Sequence, residues 1–306
     1  MSRIIITGAA SMLGIALINE CVAKGDEVTA IVRPGSLKNS RLPQNPLVKK
    51  IEHDLGEIQD VCPKLHGVYD SFYHLGWTHT DKEGRNKALL QKNNVDYTLA
   101  AVKTAKDKGC SVFIGTGSQA EYGRVNEPIN PLRSVSPESA YGIAKYSAGK
   151  LSALYAKELG IKHVWARVFS AYGPYDAPST MIMYAISKFL KKEKPEFTKC
   201  EQLWDYIYCG DAAKALYLLG LKGKDGGVYN IGSGQAKPLS GFIEMIKNSI
   251  DPALEAGIGS AAYAPDQVMY LCADISRLKA DTGFEPAVAF EEGIKETIKW
   301  ARENTK

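Results

Sequence analysis

The chain of 306 residues is long enough for one large α/β domain or two coupled domains, and its 45% hydrophobic and 24% charged residues exclude a disordered protein. The formal net charge of +4 is too small to indicate a nucleic-acid partner. No apolar run is long enough to span a bilayer, and the first residues do not resemble a signal peptide. The six cysteines and five histidines lack metal-ligand spacing, so we expect a protein of the reducing cytoplasm without a metal site.

Short β-branched segments alternate with helical segments along the first half of the chain. The predicted strands are Arg3–Thr7, Glu27–Val32, Lys49–His53, Ser71–Leu75, Ser111–Gly115 and His163–Val168. The predicted helices are Met12–Lys24, Lys87–Lys108 and Ala140–Leu159. This alternation predicts an α/β fold of the Rossmann type, a doubly wound parallel sheet with helices on both faces. Ligands of such sheets bind at the carboxyl ends of the strands.

The alternation ends near residue 170, where prolines and glycines begin to separate shorter elements. We therefore predict a Rossmann domain over residues 1–170 and a smaller, mostly helical substrate lobe over residues 171–203 and 233–306. Residues 204–232, which include the apolar segment Val228–Ile231, are expected to return to the Rossmann domain.

A glycine-containing turn joins the first predicted strand to the first predicted helix. Gly8 and Gly14 permit a tight turn and a close approach of the backbone to a pyrophosphate, and the helix N-terminus offers free N–H groups and a positive dipole end. Ser11 stands where a middle glycine is common. We assign Gly8, Ser11, Met12, Leu13 and Gly14 to a dinucleotide site, with an ordinary βα turn as the alternative.

The end of the second predicted strand distinguishes the two nicotinamide cofactors. A carboxylate there would accept hydrogen bonds from the ribose 2′-hydroxyl of NAD. This chain instead has Arg33, whose guanidinium suits the 2′-phosphate of NADP, so NADP is favoured over NAD. A solvent-exposed arginine is the alternative. Asp54 and Leu55 follow the third strand, where Asp54 either contacts the adenine or caps a turn.

A tyrosine and a lysine four residues apart open a strongly helical segment. Tyr141 and Lys145 therefore lie on one helix face, where the ammonium would favour the phenolate and allow proton exchange with a substrate hydroxyl. Ser118 follows the fifth predicted strand, at the carboxyl edge where a nicotinamide should lie. Its hydroxyl could bind the same substrate oxygen, although a role as a turn or cap residue is the alternative.

Taken in order, these motifs resemble the extended short-chain dehydrogenase/reductase family, in its branch of nucleotide-sugar epimerases, dehydratases and ketoreductases. The resemblance covers nearly the whole chain. It rests on the segments Thr7-Gly8 to Gly14, His74-Leu75-Gly76, Asn94-Val95, Gly117-Ser118, Glu121-Tyr122-Gly123, Tyr141 to Lys145, Arg167 to Pro174, Trp204 to Tyr208 with Asp211, and Tyr229 to Gly232.

The resemblance implies a role for individual residues. Ser118, Tyr141 and Lys145 match the family's catalytic triad. The cofactor positions that it adds to those above are Leu75 and Gly76 at the end of the fourth strand, Asn94 as a helix residue that supports the catalytic geometry, and Phe169 beside the nicotinamide. It also implies a C-terminal lobe that binds a nucleotide-sugar, and a homodimer built from the helices Lys87–Lys108 and Ala140–Leu159.

Two departures from the family pattern bear on the reaction. The family's 4,6-dehydratases carry Thr-Asp-Glu where this chain has Ser118-Gln119-Ala120, which removes the acid and base for dehydration. Trp204 replaces a usual arginine, which removes a charge that would neutralise a pyrophosphate. The candidate substrate contacts are Trp77, Thr78, Gln119 and Trp204.

The sequence leaves the reaction on a nucleotide-sugar open, and it leaves two other functions possible. An epimerase would oxidise a sugar carbon and return the hydride, whereas a 4-ketoreductase would consume NADPH, and Arg33 favours the reductase. A reductase of non-sugar carbonyls is a second possibility on the same fold. A non-catalytic NADP-binding redox sensor is a third, which the presence of both Tyr141 and Lys145 disfavours.

Overall fold

The computed structural model describes residues 1–265 and 267–304. The strands are β1 (Arg3–Thr7), β2 (Glu27–Val32), β3 (Val48–Glu52), β4 (Ser71–His74), β5 (Val112–Ser118), β6 (Lys162–Val168), β7 (Ser170–Tyr172), β8 (Leu203–Trp204), β9 (Tyr206–Tyr208), β10 (Gly227–Ile231), β11 (Lys237–Pro238) and β12 (Tyr270–Leu271). The α-helices are α1 (Met12–Ala23), α2 (Ala88–Asp107), α3 (Ala140–Leu159), α4 (Met181–Leu190), α5 (Cys209–Lys222), α6 (Leu239–Ile250), α7 (Ser276–Thr282) and α8 (Phe290–Asn304).

The central sheet has seven parallel strands in the order β3-β2-β1-β4-β5-β6-β10. The strand order reverses between β1 and β4, which is the switch point where Rossmann folds bind their ligand. The predicted α/β Rossmann fold is confirmed. Helices α1 and α5 cover one face of the sheet and helices α2 and α3 cover the other, each through buried aliphatic side chains.

One strand differs from the prediction in a way that matters for the site. Strand β5 continues to Ser118, three residues beyond the predicted end, because its pairing with β6 continues through Ser118 opposite Val168. Ser118 therefore ends the strand instead of following it. The other predicted strands and helices are shifted by one residue at most at either end.

The C-terminal lobe contains short strands that the sequence did not reveal. Strands β11, β8 and β12 form a three-stranded sheet, and β7 pairs with β9. Residues 203–208 therefore lie in these small sheets, and the return to the central sheet begins at α5 and is completed by β10 beside β6. A second apolar core, separate from those of the sheet, is formed mainly by α4, α6 and α8. The division into two domains stays a prediction.

The turn after β1 brings the backbone close to the end of β4. Gly8 has a φ of +65°, and a Cβ atom placed there would lie 2.7 Å from the backbone nitrogen of Gly76. The turn then enters α1 through Ser11, whose hydroxyl oxygen accepts a hydrogen bond from the Gly14 N–H at 3.1 Å. Both the backbone conformation and the close approach require glycine at position 8.

A buried carboxylate fixes the end of β5. Glu121 is fully buried and accepts hydrogen bonds from the Ser118 N–H at 2.9 Å, from the Trp165 indole at 3.1 Å and from the Arg167 guanidinium at 2.7 Å. Arg167 is also buried and lies over the ring of Tyr122, with its Cζ atom 4.4 Å from the ring centroid. This ion pair joins β6 to the turn that follows β5.

Replacing Gly8 by alanine is expected to destabilise the fold, because the new methyl group meets backbone atoms that have no room to move. The matched control is Gly25→Ala, at a position that also has a positive φ but where an added Cβ would have no atom within 4 Å. Thermal unfolding should show a clearly larger loss for Gly8→Ala. Equal losses would contradict the close approach.

Replacing Glu121 by glutamine is expected to lower the free energy of unfolding by about 3 kcal/mol or more, because Arg167 keeps its buried charge without a counterion. Urea denaturation measures this change. The control is Glu127→Gln, which breaks the more exposed pair with Arg133 and should cost no more than about 1 kcal/mol. A loss for Glu121→Gln within that same range would contradict the buried-pair account.

Candidate active site

A cleft of 620 Å³ opens at the carboxyl edge of the central sheet. Its size is within the range of cofactor and ligand sites. Its lining comes from the β1–α1 turn, the segment after β2, the start of the segment after β3 and the loop after β4. The predicted cofactor residues that line it are Gly8, Ser11, Arg33, Asp54, Leu55 and Gly76.

The turn side of the cleft offers the N-terminus of α1. Ala9 and Ala10 line the cleft beside Gly8 and Ser11, whereas Met12, Leu13 and Gly14 do not. Leu13 packs against the apolar core. The assignment of Met12, Leu13 and Gly14 to the dinucleotide site stays a prediction, in which the backbone N–H groups of Met12 and Leu13 would make the contact. The helix dipole and these N–H groups suit a diphosphate.

The segment after β2 forms a positively charged end of the cleft. Arg33 is exposed there, and Ser36, Lys38 and Asn39 line the same region. The carboxylate of Glu52 at the end of β3 pairs with Lys50 at 3.0 Å, and that contact lowers its pKa. Serine, lysine and arginine are the side chains that commonly bind phosphate. The sequence indicated Arg33 but did not indicate its three companions, which lie in an irregular segment and a short 3₁₀ helix.

One oxygen of the Asp54 carboxylate caps a helix. Its Oδ1 atom accepts a hydrogen bond from the Gly56 N–H at 2.8 Å and so caps the 3₁₀ helix Leu55–Lys64. Asp54 and Leu55 nevertheless line the cleft. Both alternatives given for Asp54 by the sequence are therefore compatible with its position.

The loop after β4 is held to α2 by Asn94. The Asn94 carbonyl oxygen accepts hydrogen bonds from the Thr78 N–H at 2.8 Å and from the Thr78 hydroxyl at 3.0 Å, and its amide group donates to the Thr78 carbonyl. Asn94 is buried and does not line the cleft. Its place among the cofactor residues, as a support of the catalytic geometry, stays a prediction, and its contacts with Thr78 are compatible with that role. Leu75 likewise packs on the core, while Gly76 lines the cleft.

Ser118 and Tyr141 meet at the end of β5. The Ser118 side chain lies close enough to the Tyr141 phenol to lower its pKa. Burial is the larger effect and raises the pKa of Tyr141, while the positive charge of Arg85 and the polar side chain of Ser118 oppose that rise. The Ser118 hydroxyl donates to the side-chain oxygen of Gln119 at 2.8 Å and accepts from the Ala120 N–H at 3.2 Å.

Lys145 lies one helical turn beyond Tyr141, on the same face of α3. Its ammonium donates to the Thr116 carbonyl of β5 at 2.6 Å and lies 3.7 Å from the ring centroid of Trp77. Burial lowers the pKa of Lys145 to about 7, with Glu121 opposing that change and Arg85 adding to it. The ammonium is 5.9 Å from the ring centroid of Tyr141. The structure therefore brings Ser118, Tyr141 and Lys145 together.

The four candidate substrate residues have different positions. Trp77 lines the cleft and packs edge-on against Tyr141, with ring centroids 6.0 Å apart, and its indole donates to Gln91 at 2.9 Å. Thr78 also lines the cleft. Gln119 contacts Ser118 as described. Trp204 donates to the Ser170 hydroxyl at 2.8 Å and packs between the core of the sheet and that of the C-terminal lobe.

Phe169, expected beside the nicotinamide, is buried in the sheet core next to Tyr122, with ring centroids 6.3 Å apart, and does not line the cleft. Sequence reasoning also missed Arg85, whose guanidinium Cζ lies 4.2 Å from the ring centroid of Tyr141. No periodicity or motif marks that residue.

A metal site and a membrane-spanning helix are both absent from the part of the chain that the structure describes. Residues 1–265 and 267–304 contain no group of three or more histidine, cysteine, aspartate or glutamate side chains that could hold a metal ion. Over the same ranges, no helix has both the length and the apolar character needed to cross a bilayer.

Comparison with known proteins gives relatives along the whole chain. The chain is 25% identical to a dTDP-glucose 4,6-dehydratase of Escherichia coli, over 99% of this chain and 94% of that protein. A UDP-N-acetylglucosamine 4-epimerase from Methanobrevibacter ruminantium M1 has a TM-score of 0.89 at 24% identity, with 99% of both chains covered. A dTDP-glucose 4,6-dehydratase from Streptomyces venezuelae, solved with NAD bound, has a TM-score of 0.85 at 20% identity, covering 99% of this chain and 97% of that one.

These two solved structures share the fold of this chain, and the sequence comparison adds the family. The model of the NAD dependent epimerase/dehydratase family matches residues 4–232, which include the β1–α1 turn, the cleft, Ser118, Tyr141 and Lys145. The chain therefore belongs to the NAD dependent epimerase/dehydratase family of enzymes, as the sequence motifs indicated.

Proposed function

We propose that this protein is a nucleotide-sugar oxidoreductase of the epimerase or 4-ketoreductase type, with Tyr141 as its acid/base residue. The observation that carries the proposal is the meeting of Tyr141 with Ser118 and Lys145 at the carboxyl edge of the sheet. The named activities of the relatives, which act on dTDP- and UDP-sugars, support a substrate of the same class.

The residues of the cleft fit a nicotinamide dinucleotide. The β1–α1 turn and the N-terminus of α1 would hold the diphosphate, and the segment from Arg33 to Asn39 would hold the adenosine end. When bound, the nicotinamide takes up or supplies the hydride. Lys145 would bind a ribose hydroxyl of the cofactor, for which its ammonium would have to leave the Trp77 ring and the Thr116 carbonyl.

In this proposal, Tyr141 transfers the proton and Ser118 holds the oxygen that gives or takes it. Tyr141 takes the proton from a sugar hydroxyl during oxidation and returns it to the ketone oxygen during reduction. Ser118 donates a hydrogen bond to the same oxygen, for which its hydroxyl must leave the Gln119 side chain. The positive charge of Arg85 favours the phenolate and opposes the larger effect of burial, which raises the pKa of Tyr141.

The residues beside Ser118 favour epimerisation or reduction over dehydration. Gln119 and Ala120 have no carboxyl group, so neither can act as the acid or base that removes water from the sugar. The relatives named as dehydratases are about one quarter identical to this chain, which leaves room for a different reaction in the same family.

The function is tested by assaying turnover of a panel of nucleotide-sugars with NADPH and NADH. We expect Tyr141→Phe to lower kcat by roughly 100-fold to 10,000-fold while cofactor binding is kept, because only the hydroxyl is lost. The control is Tyr146→Phe on the same helix, whose ring packs against Lys150 and which should keep full activity. Full turnover by Tyr141→Phe would contradict the assignment.

We further propose that NADP is preferred over NAD, because Arg33, Ser36 and Lys38 line one end of the cleft. Arg33→Gln should weaken NADPH binding by about 10-fold, the size of one charge-assisted hydrogen bond, and leave NADH binding unchanged. Arg41→Gln is the control, because Arg41 lies over the Tyr175 ring and outside the cleft. Calorimetric titration with both cofactors measures the change. Equal losses for NADPH and NADH, or tighter wild-type binding of NADH, would contradict the preference.

We also propose a homodimer through α2 and α3. These helices expose large apolar side chains, namely Leu89 at 80%, Ile143 at 52%, Leu151 at 45% and Leu154 at 67%. A groove of 390 Å³ between the two helices includes Ile143 and Leu151 in its lining. Exposed apolar patches of this kind mark protein interfaces, and the family resemblance implies a second copy of the chain as the partner.

Leu154→Glu is expected to convert the dimer to a monomer, because it places a charge in the apolar interface. Light scattering after size-exclusion chromatography measures the mass. The control is Leu221→Glu, a similarly exposed leucine on α5 at the other face of the sheet. A wild-type protein that elutes as a monomer at high concentration would exclude this interface.

A further inference from the structure

The phenol of Tyr141 is approached by two cations, and the sequence indicated only one of them. The Arg85 guanidinium lies over the face of the Tyr141 ring, with Cζ 4.2 Å from the ring centroid. The Lys145 ammonium is farther away, at 5.9 Å. Arg85 is partly buried, and among the described residues no carboxylate lies within ion-pair distance of it.

The backbone that carries Arg85 is firmly held. Arg85 lies in a 3₁₀ turn, Gly84–Asn86, just before α2. The Asp81 carboxylate accepts hydrogen bonds from the Glu83 N–H at 3.1 Å and the Gly84 N–H at 2.9 Å, and Gln91 donates to the Gly84 carbonyl at 3.0 Å. None of these contacts uses the Arg85 side chain, so its position over the ring is prepared by the turn.

Lys145 is poorly suited to be the sole permanent charge beside the phenol. Its ammonium is already engaged by the Thr116 carbonyl and the Trp77 ring. Burial lowers its pKa to about 7, so the charge of Lys145 depends on pH far more than that of an arginine. A guanidinium keeps its charge at every pH at which a protein stays folded.

The remaining groups around the phenol do not supply a net positive charge. Ser118 at the end of β5 is neutral, and Trp77 after β4 is an aromatic neighbour. Glu121, in the turn after β5, raises the pKa of Tyr141, but its charge is paired with Arg167 at 2.7 Å. Arg85 and Lys145 are therefore the cations that face Tyr141.

We propose that Arg85 is a positioning residue that stabilises the phenolate of Tyr141 by a fixed positive charge over its ring. This inference rests on the acid/base role proposed for Tyr141. Lys145 is then free to serve as a ligand for a cofactor ribose while Arg85 provides the charge that does not depend on its protonation.

The test reads the phenol directly and does not require a known substrate. A 3,5-difluorotyrosine, which has a more acidic phenol, is incorporated at position 141, and its ionisation is followed by fluorine NMR as the pH is raised. Arg85→Gln is expected to move the titration midpoint upward by about one pH unit, the lower end of the effect of a neighbouring opposite charge. Arg85→Lys should restore part of that shift.

Two further variants separate Arg85 from its surroundings. Lys82→Gln removes an exposed charge from the same segment and should leave the midpoint unchanged. In a Lys145→Met background, the shift caused by Arg85→Gln should be as large or larger, because Arg85 also repels the proton of Lys145 and that opposing effect is removed. Thermal unfolding checks that each variant is folded.

A midpoint that Arg85→Gln leaves unchanged in both backgrounds overturns the inference. A shifted midpoint in a protein without nucleotide-sugar turnover supports the inference and rejects the proposed substrate class instead. If turnover is found, the acidic limb of the pH profile of kcat should move upward by a similar amount in Arg85→Gln, whereas a merely structural role would lower kcat without moving that limb.

Discussion

The buried carboxylate of Glu121 is the contact on which the geometry of the site depends. It accepts hydrogen bonds from the Ser118 N–H at the end of β5 and from the Trp165 indole and the Arg167 guanidinium of β6. A buried charge of this kind is stable only when its partners are complete. Because the Ser118 N–H is one of these partners, Glu121 holds the end of β5 in place. The position of the Ser118 hydroxyl beside Tyr141 follows from it.

The central sheet brings the other parts of the site to one edge. All its strands are parallel, so the turn after β1, the segment after β2, the loop after β4 and Ser118 at the end of β5 share the carboxyl side. Helix α3 begins at that edge, and its first turn carries Tyr141. The polar network of Asn94 with Thr78 holds the β4 loop in place. Residues from five separate segments of the sequence thus lie at one edge of the sheet.

Much of this arrangement follows from the sequence because it is local. The strand–turn–helix pattern around Gly8 and the spacing of Tyr141 and Lys145 each lie within one or two elements, so periodicity and motif suffice. The end of β5 at Ser118 depends on pairing with β6, which the sequence does not display. The very short strands of the C-terminal lobe likewise have no periodicity of their own.

The contacts that sequence reasoning did not predict join distant segments of the chain. Arg85 reaches Tyr141 across more than fifty residues of sequence, through a turn built by Asp81 and Gln91. Phe169 and Leu13 lie next to the predicted site in sequence, but their apolar side chains pack into the core. Burial of an apolar side chain outweighs its proximity to a motif.

The central claim is that Ser118 and Tyr141 hold one substrate oxygen beside the nicotinamide. A crystal structure of the protein with NADP⁺ and a nucleotide-sugar tests this most directly, by the distances from the Tyr141 Oη and Ser118 Oγ atoms to the sugar. We predict that both lie within hydrogen-bond distance, about 3 Å, of the same sugar oxygen. A sugar bound with that oxygen next to other residues, and out of reach of both hydroxyls, would contradict the account.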